Sequence, residues 1–152
     1  MSAPYSGSCQ CGAMKFEITA EPLTVYVCHC NACKKQSGGA FGMAMVVPAD
    51  SVKMTQGTPK VYVKTAQSGR TAECDFCPEC GNRLFHRLGA GVPIVLVKTG
   101  VIENAGDLKP AVHLWTEEAD DWITIPDDVI QYEQQPTDGF AEAIEFYQSR
   151  NK

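Results

Sequence analysis

The sequence has no apolar run long enough to cross a membrane. Its longest strongly apolar stretch covers residues 41–47, whereas a spanning helix needs about 18. The opening residues 1–7 lack the basic and apolar segments of a secretory signal. We therefore expect a cytoplasmic protein without a membrane partner, in a compartment where thiols stay reduced.

Positive charge is also scarce, because 13 Lys and Arg residues face 18 Asp and Glu residues, for a net charge of −5. This balance argues against nucleic acid as a partner. Internal repeats, low-complexity tracts and linkers are absent, and 152 residues suffice for one domain. The sequence predicts a single domain over residues 1–152, with residues 136–152 as a helical tail.

Helical patterns are few, and most of the chain is typical of β-structure. Met14, Phe16 and Ile18 alternate with charged residues, which is the pattern of a half-buried strand. Further strands are predicted from β-rich runs bounded by Gly and Pro, at residues 24–27, 41–47, 52–54, 61–65, 71–76, 82–87 and 94–99. The fold class is therefore predicted to be mainly β.

Two helices are predicted, a single turn over residues 32–36 and a longer one near the end of the chain. The second carries Phe140, Ile144 and Tyr147 on one face, with Thr137 or Asp138 as its cap. We expect this face, together with Trp115 and Trp122, to belong to the core. The acidic run 117–121 is expected to form a solvated loop.

Eight cysteines are many for a chain expected in a reducing compartment, where they indicate metal binding before disulfides. They fall in three clusters, namely Cys9 and Cys11, then Cys28, Cys30 and Cys33, then Cys74, Cys77 and Cys80.

The last pair lies in Cys77-Pro78-Glu79-Cys80-Gly81, the form of a zinc knuckle. A knuckle gives two ligands, whereas a structural zinc needs four. Pairing it with Cys9 and Cys11 would complete the site. A redox Cys-x-x-Cys motif and an iron–sulfur cluster are the alternatives at this point.

Cys28, Cys30 and Cys33 could hold a second zinc by three thiolates, leaving one exchangeable position, as in catalytic zinc sites. Lys34 and Lys35 follow directly, and their charges would offset the thiolates and attract an anionic substrate. The alternative is a closed structural site completed by Cys74 or by a histidine. His29, His86 and His113 are more typical of satisfied or exposed histidines than of ligands.

Three segments together resemble the family of glutathione-dependent formaldehyde-activating enzymes. They are Gly-Ser-Cys-Gln-Cys-Gly at residues 7–12, Cys-His-Cys-Asn-Ala-Cys-Lys-Lys-Gln-Ser-Gly-Gly-Ala-Phe at 28–41, and Phe-Cys-Pro-Glu-Cys-Gly at 76–81. The resemblance is firm over residues 7–87 and weaker towards residue 136. Cys74 departs from it, because the family usually has a basic residue there.

This resemblance implies an antiparallel β-tent built around two zinc ions. It implies a structural zinc on Cys9, Cys11, Cys77 and Cys80 and a catalytic zinc on Cys28, Cys30 and Cys33. The activity it implies is a carbon–sulfur lyase that joins glutathione to formaldehyde as S-hydroxymethylglutathione.

If the chain has this activity, Lys34 and Lys35 would bind the carboxylates of glutathione, with Arg70, Arg83 and Arg87 as further candidates. His29 would be the candidate proton shuttle. The competing hypothesis is a non-catalytic binding module that is stabilised by two closed zinc sites.

Overall fold

A computed structural model describes residues 2–66 and 69–151, and over these residues the chain forms eleven strands and two α-helices. The strands are β1 (Tyr5–Ser8), β2 (Lys15–Ile18), β3 (Thr24–Cys28), β4 (Gly42–Pro48), β5 (Val52–Gln56), β6 (Lys60–Thr65), β7 (Thr71–Phe76), β8 (Arg83–Arg87), β9 (Ile94–Lys98), β10 (Val112–Leu114) and β11 (Ile130–Gln131). The helices are α1 (Asn31–Ser37) and α2 (Ala141–Arg150).

The strands form two sheets. The smaller has the order β1-β2-β5, and the larger has the order β11-β10-β3-β4-β9-β8-β7-β6. Neighbouring strands are antiparallel except that β10 runs parallel to both β3 and β11. The mainly β fold class with a short C-terminal helix is confirmed, and the parallel edge is an addition that the sequence did not predict.

The large sheet is buried on both faces in its middle. On β4, Met45 and Val47 join the core between the two sheets, whereas Ala44 and Val46 join a second core on the opposite face. A strand that is covered on both faces has no need of polar residues. This explains why residues 41–47 are almost continuously apolar.

Helix α2 packs on β3 within the second core. Phe140 stacks on Tyr26 with ring centroids 5.6 Å apart. Neither Thr137 nor Asp138 is the N-cap of this helix, because that position is taken by Phe140. Asp138 still contributes from just before the helix, since its Oδ2 accepts a hydrogen bond from the Glu142 backbone N–H at 2.8 Å.

Two expectations about the segment after β10 are wrong. Trp122 is not a core residue, because 74% of it is exposed. The acidic run is not simply solvated, because Glu118 accepts a hydrogen bond from the Asn31 backbone N–H at 2.6 Å. The run therefore lies against the start of α1. Trp115, as expected, packs at the edge of the second core.

Candidate metal centres

The first centre joins two tight turns that lie 66 or more residues apart in sequence. One turn follows β1 and carries Cys9 and Cys11, and the other follows β7 and carries Cys77 and Cys80. The four sulfurs lie within 4.8 Å of one another.

Both turns close in the same way. Gly12 and Gly81 follow the second cysteine of each pair with φ of 78° and 74°, a conformation that favours glycine. The Gly12 N–H donates to the Cys9 carbonyl and the Gly81 N–H to the Cys77 carbonyl. Asn82 Oδ1 accepts from the Gln10 N–H at 3.0 Å and so connects the two turns.

The sulfur separations fit a metal and exclude a disulfide. Cys9 Sγ lies 3.6 Å from Cys11 Sγ, which lies 3.8 Å from Cys77 Sγ, whereas a disulfide bond is about 2.05 Å long. A tetrahedron with metal–sulfur bonds of about 2.3 Å places its sulfurs about 3.8 Å apart. The prediction that these four cysteines form one site is therefore supported by their geometry.

The environment of Cys9 favours its thiolate. Burial opposes ionisation, but the Met14 N–H donates to Cys9 Sγ at 3.2 Å, and the neighbouring thiols of Cys11 and Cys77 add further hydrogen bonds. Together these lower the pKa of Cys9 to about 6. A metal would therefore meet a ligand that is already deprotonated at neutral pH.

The second centre lies on the opposite face of the large sheet, where β3 leads into α1. Cys28 ends β3, Cys30 caps the N-terminus of α1, and Cys33 lies in the first turn of the helix. The Cys33 N–H donates to Cys30 Sγ at 3.4 Å, and the three sulfurs lie within 4.8 Å of one another.

Glycine at position 42 leaves room for the cluster where β4 passes it. Gly42 is paired with Cys28 across the sheet. A Cβ atom on Gly42 would lie 3.2 Å from Cys33 Cβ and 3.6 Å from Cys33 Sγ. A side chain at residue 42 would therefore press on Cys33, and its absence lets the sheet approach the thiols closely.

Among residues 2–66 and 69–151, no fourth Cys, His, Asp or Glu ligand atom joins the three sulfurs. Cys74 is fully buried, and its thiol points to the Ala72 carbonyl at 3.8 Å. His29 turns to His113, with Nε2 and Nδ1 2.9 Å apart, and His86 pairs with Arg83. Closure of this site by Cys74 or by a histidine is thus not what the geometry favours.

The surroundings of the three thiols shift their pKa values in different directions. Hydrogen bonds from Cys28 and Cys33, with a smaller effect of Lys64, hold the pKa of Cys30 well below its usual range. Hydrogen bonds with Cys30 and Cys33, together with burial, raise the pKa of Cys28. Of the three thiols, Cys30 is therefore the one whose surroundings most favour the thiolate, and it is more exposed than Cys28.

The predicted anion-binding lysines lie on α1 beside the cluster, with different surroundings. Lys34 Nζ donates to Asp120 Oδ1 and to the Glu118 carbonyl, both at 2.6 Å, which fastens α1 to the acidic segment. Lys35 is exposed. Of the arginines, Arg87 is paired with Glu73 and Asp75.

Sequence reasoning missed Lys98, which is only 7% exposed and lies on β9 opposite Ala44. Burial lowers the pKa of Lys98, whereas the Cys33 and Cys28 thiols raise it, so the lysine is close to the second centre. The feature of the sequence that could have indicated this role is the position of Lys98 directly after the apolar strand residues 94–97. Only the pairing of β9 with β4 shows what it approaches.

Comparison with known proteins identifies the family of this chain. A model of the family described as glutathione-dependent formaldehyde-activating enzyme matches residues 4–118. A candidate enzyme of that description from Talaromyces marneffei is 28% identical over 82 residues, which are 53% of this chain and 43% of that protein. One from Sordaria macrospora is 29% identical over 91 residues, 56% of this chain and 38% of that protein.

The chain thus matches less than half the length of these relatives. A crystal structure of a Rhodobacter sphaeroides protein shares the fold, with a TM-score of 0.52 and 21% identity over 65% of this chain and 88% of that one. Since the family model covers well over half of the residues, this chain belongs to the family of glutathione-dependent formaldehyde-activating enzymes.

Proposed function

We propose that this protein is a zinc-dependent enzyme of the carbon–sulfur lyase type that acts on glutathione adducts of small carbonyls. Its substrate would be S-hydroxymethylglutathione, or glutathione and formaldehyde in the reverse direction. The observation that carries the proposal is the cluster of Cys28, Cys30 and Cys33, which has three converging thiols and, among the described residues, no fourth ligand.

The reaction is an addition without redox change. The glutathione sulfur forms a bond to the formaldehyde carbon, the C=O π electrons go to oxygen, and the thiol proton is transferred to that oxygen. A zinc ion held by the three thiolates would supply Lewis acidity, which favours the thiolate form of an incoming thiol. The four-cysteine centre would hold a second, structural zinc, since all four positions are taken by the chain.

The residues around the cluster prepare a site for an external thiol. Gly42 leaves space beside Cys33, and Lys34 holds α1 in place through Asp120. Lys35 is open to solvent and adds positive charge for recruiting an anionic substrate. His29 does not serve as a proton shuttle, because it is fully buried and hydrogen-bonded to His113.

The cellular setting follows from the same chemistry. Glutathione is the small-molecule partner that the family membership supports. We place the protein in the cytoplasm, where thiol ligands stay reduced, and we treat residues 1–152 as a single domain because both cores share the strands of the large sheet. No helix in residues 2–66 and 69–151 combines the length and apolarity needed to cross a bilayer.

The activity can be tested by exchange NMR on glutathione and ¹³C-formaldehyde at equilibrium. Zinc-loaded wild-type protein should accelerate exchange between free formaldehyde and S-hydroxymethylglutathione in proportion to its concentration. Cys30→Ser should return exchange to the uncatalysed rate, whereas Lys53→Met, on the small sheet, should keep the wild-type rate. An uncatalysed rate with zinc-loaded wild-type protein would instead support the non-catalytic module.

A further inference from the structure

A row of side chains crosses the large sheet on the face that carries the three-cysteine cluster. Tyr62 on β6 is paired with Cys74 on β7, Cys74 with His86 on β8, and His86 with Leu96 on β9. Leu96 belongs to the same core as Cys28, which places the row and the cluster on one face.

Three cations surround this row. Lys64 lies two residues beyond Tyr62 on β6, and Lys98 lies two residues beyond Leu96 on β9, so both point to the same face as the row. Arg83 Nη1 donates to His86 Nε2 at 2.9 Å, and its guanidinium lies 5.8 Å from the Tyr62 ring centroid. These contacts hold the planar guanidinium against the sheet.

Among the described residues, no carboxylate forms an ion pair with any of these three cations. Within residues 2–66 and 69–151, Lys64, Arg83 and Lys98 make no ion pair, whereas Lys34 and Arg87 both do. Burial, followed by the charges of Lys98, Arg83 and Lys64, lowers the pKa of His86 to about 2. His86 is therefore a neutral acceptor that orients Arg83 and adds no charge.

The row is accessible from solvent. Helices α1 and α2 pack on β4 and β3, on the other half of this face. Tyr62 is 54% exposed, and Lys64, Arg83 and His86 are half-buried. A small anion can therefore reach Lys64 and Arg83 from solvent, whereas Lys98 is only 7% exposed and lies deeper on the same face.

The cations also lie beside the cluster. Lys98 is paired with Ala44, two residues from Gly42, which is paired with Cys28. One molecule that carries both a thiol and a carboxylate can span the two features.

We infer that Lys98, Arg83 and Lys64 bind a carboxylate of the thiol substrate while its sulfur meets the cluster. This inference rests on the proposed function and deepens it, because it names the residues that select a carboxylate-bearing thiol over a neutral one. Arg83 offers a planar fork for two parallel hydrogen bonds, and Lys98 offers a poorly solvated ammonium that an anion would stabilise.

Calorimetric titration of the zinc-loaded protein tests the inference without a turnover measurement. Glutathione should bind wild-type protein about tenfold or more tightly than Lys98→Met or Arg83→Met, which is the size of loss expected for one charge-assisted hydrogen bond. Lys53→Met should match wild type. Glutathione diethyl ester, which lacks both carboxylates, should bind weakly to wild type and with the same affinity to Lys98→Met.

Lys64→Gln keeps the inference testable if the Lys98 variant does not fold. Its substitution should not disturb folding, because Lys64 lies on an edge strand and is only half-buried. It should weaken glutathione binding in the same direction. If glutathione binds wild type and all three variants equally, the inference is wrong and the proposed function stands. If glutathione does not bind wild type at all, the proposed function and the inference both fail.

Discussion

Replacing Gly42 by alanine should damage the three-cysteine centre selectively. The new Cβ would lie 3.2 Å from Cys33 Cβ, whereas carbon atoms in contact prefer about 3.5–4.0 Å. Cys33 must therefore move by about 0.3 Å or more, which exceeds the tolerance of about 0.2 Å on metal–ligand distances. We expect the affinity of this centre for zinc to fall about tenfold or more, as when a supporting residue next to a metal ligand is changed.

The assay is competition with a chromophoric zinc chelator, which resolves weakly and tightly held metal. Wild type should release two zinc ions in separate phases, and Gly42→Ala should shift only the weaker phase. Gly106→Ala is the matched control, because a Cβ on Gly106 meets no atom within 4 Å. Two wild-type phases in Gly42→Ala would refute the assignment of close packing between β4 and the cluster.

Three further predictions concern the scaffold. Cys77→Ser should lose one metal and its cooperative melting transition. The binding free energy of structural zinc, about 10–16 kcal/mol in finger peptides, is as large as the unfolding free energy of a whole domain, about 5–15 kcal/mol. An unchanged melting temperature would contradict this. Gly7→Ala should lower the urea midpoint of unfolding, because the new Cβ would lie 2.1 Å from Cζ of the buried Phe16. Such overpacking costs about 1–3 kcal/mol. An unaltered midpoint would show that β1 can shift freely. Burial, and then the charge of His29, lower the pKa of His113 from 6.5 to about 4. Between these pH values the unfolded chain binds a proton at His113 that the folded chain does not bind. The free energy of unfolding should therefore fall as the pH decreases from 6.5 towards 4. His113→Gln should flatten that part of the urea-midpoint curve, and parallel curves for the two proteins would argue against it.

Features that depend on neighbours in sequence could be predicted. The spacing of Cys28, Cys30 and Cys33 predicts a three-thiol cluster, because all three lie within six residues of the chain. The alternation around Phe16 and Ile18 predicts β2, because only one face of that strand is buried. In each case a local period or spacing carries the information.

Features that depend on strand order could not be predicted. Lys98 is a surface residue by type, and only the pairing of β9 with β4 buries it beside the cluster. From sequence alone, Lys34 is predicted to be an unpaired cation. The fold pairs it with Asp120, which lies in the segment after β10. The three-residue strand β10 is too short to show a period, so its parallel pairing with β3 was missed.

Optical titration of the cobalt-substituted protein with glutathione tests the central claim, that the second centre is open to an external thiol. Cobalt–thiolate bands change when a further sulfur joins the metal or competes for it. We predict a change in wild type that is absent in Cys30→Ser and absent with S-methylglutathione, while Cys74→Ser responds like wild type. A wild-type spectrum that ignores glutathione, with a response only in Cys74→Ser, would show that Cys74 closes the site and would contradict the account.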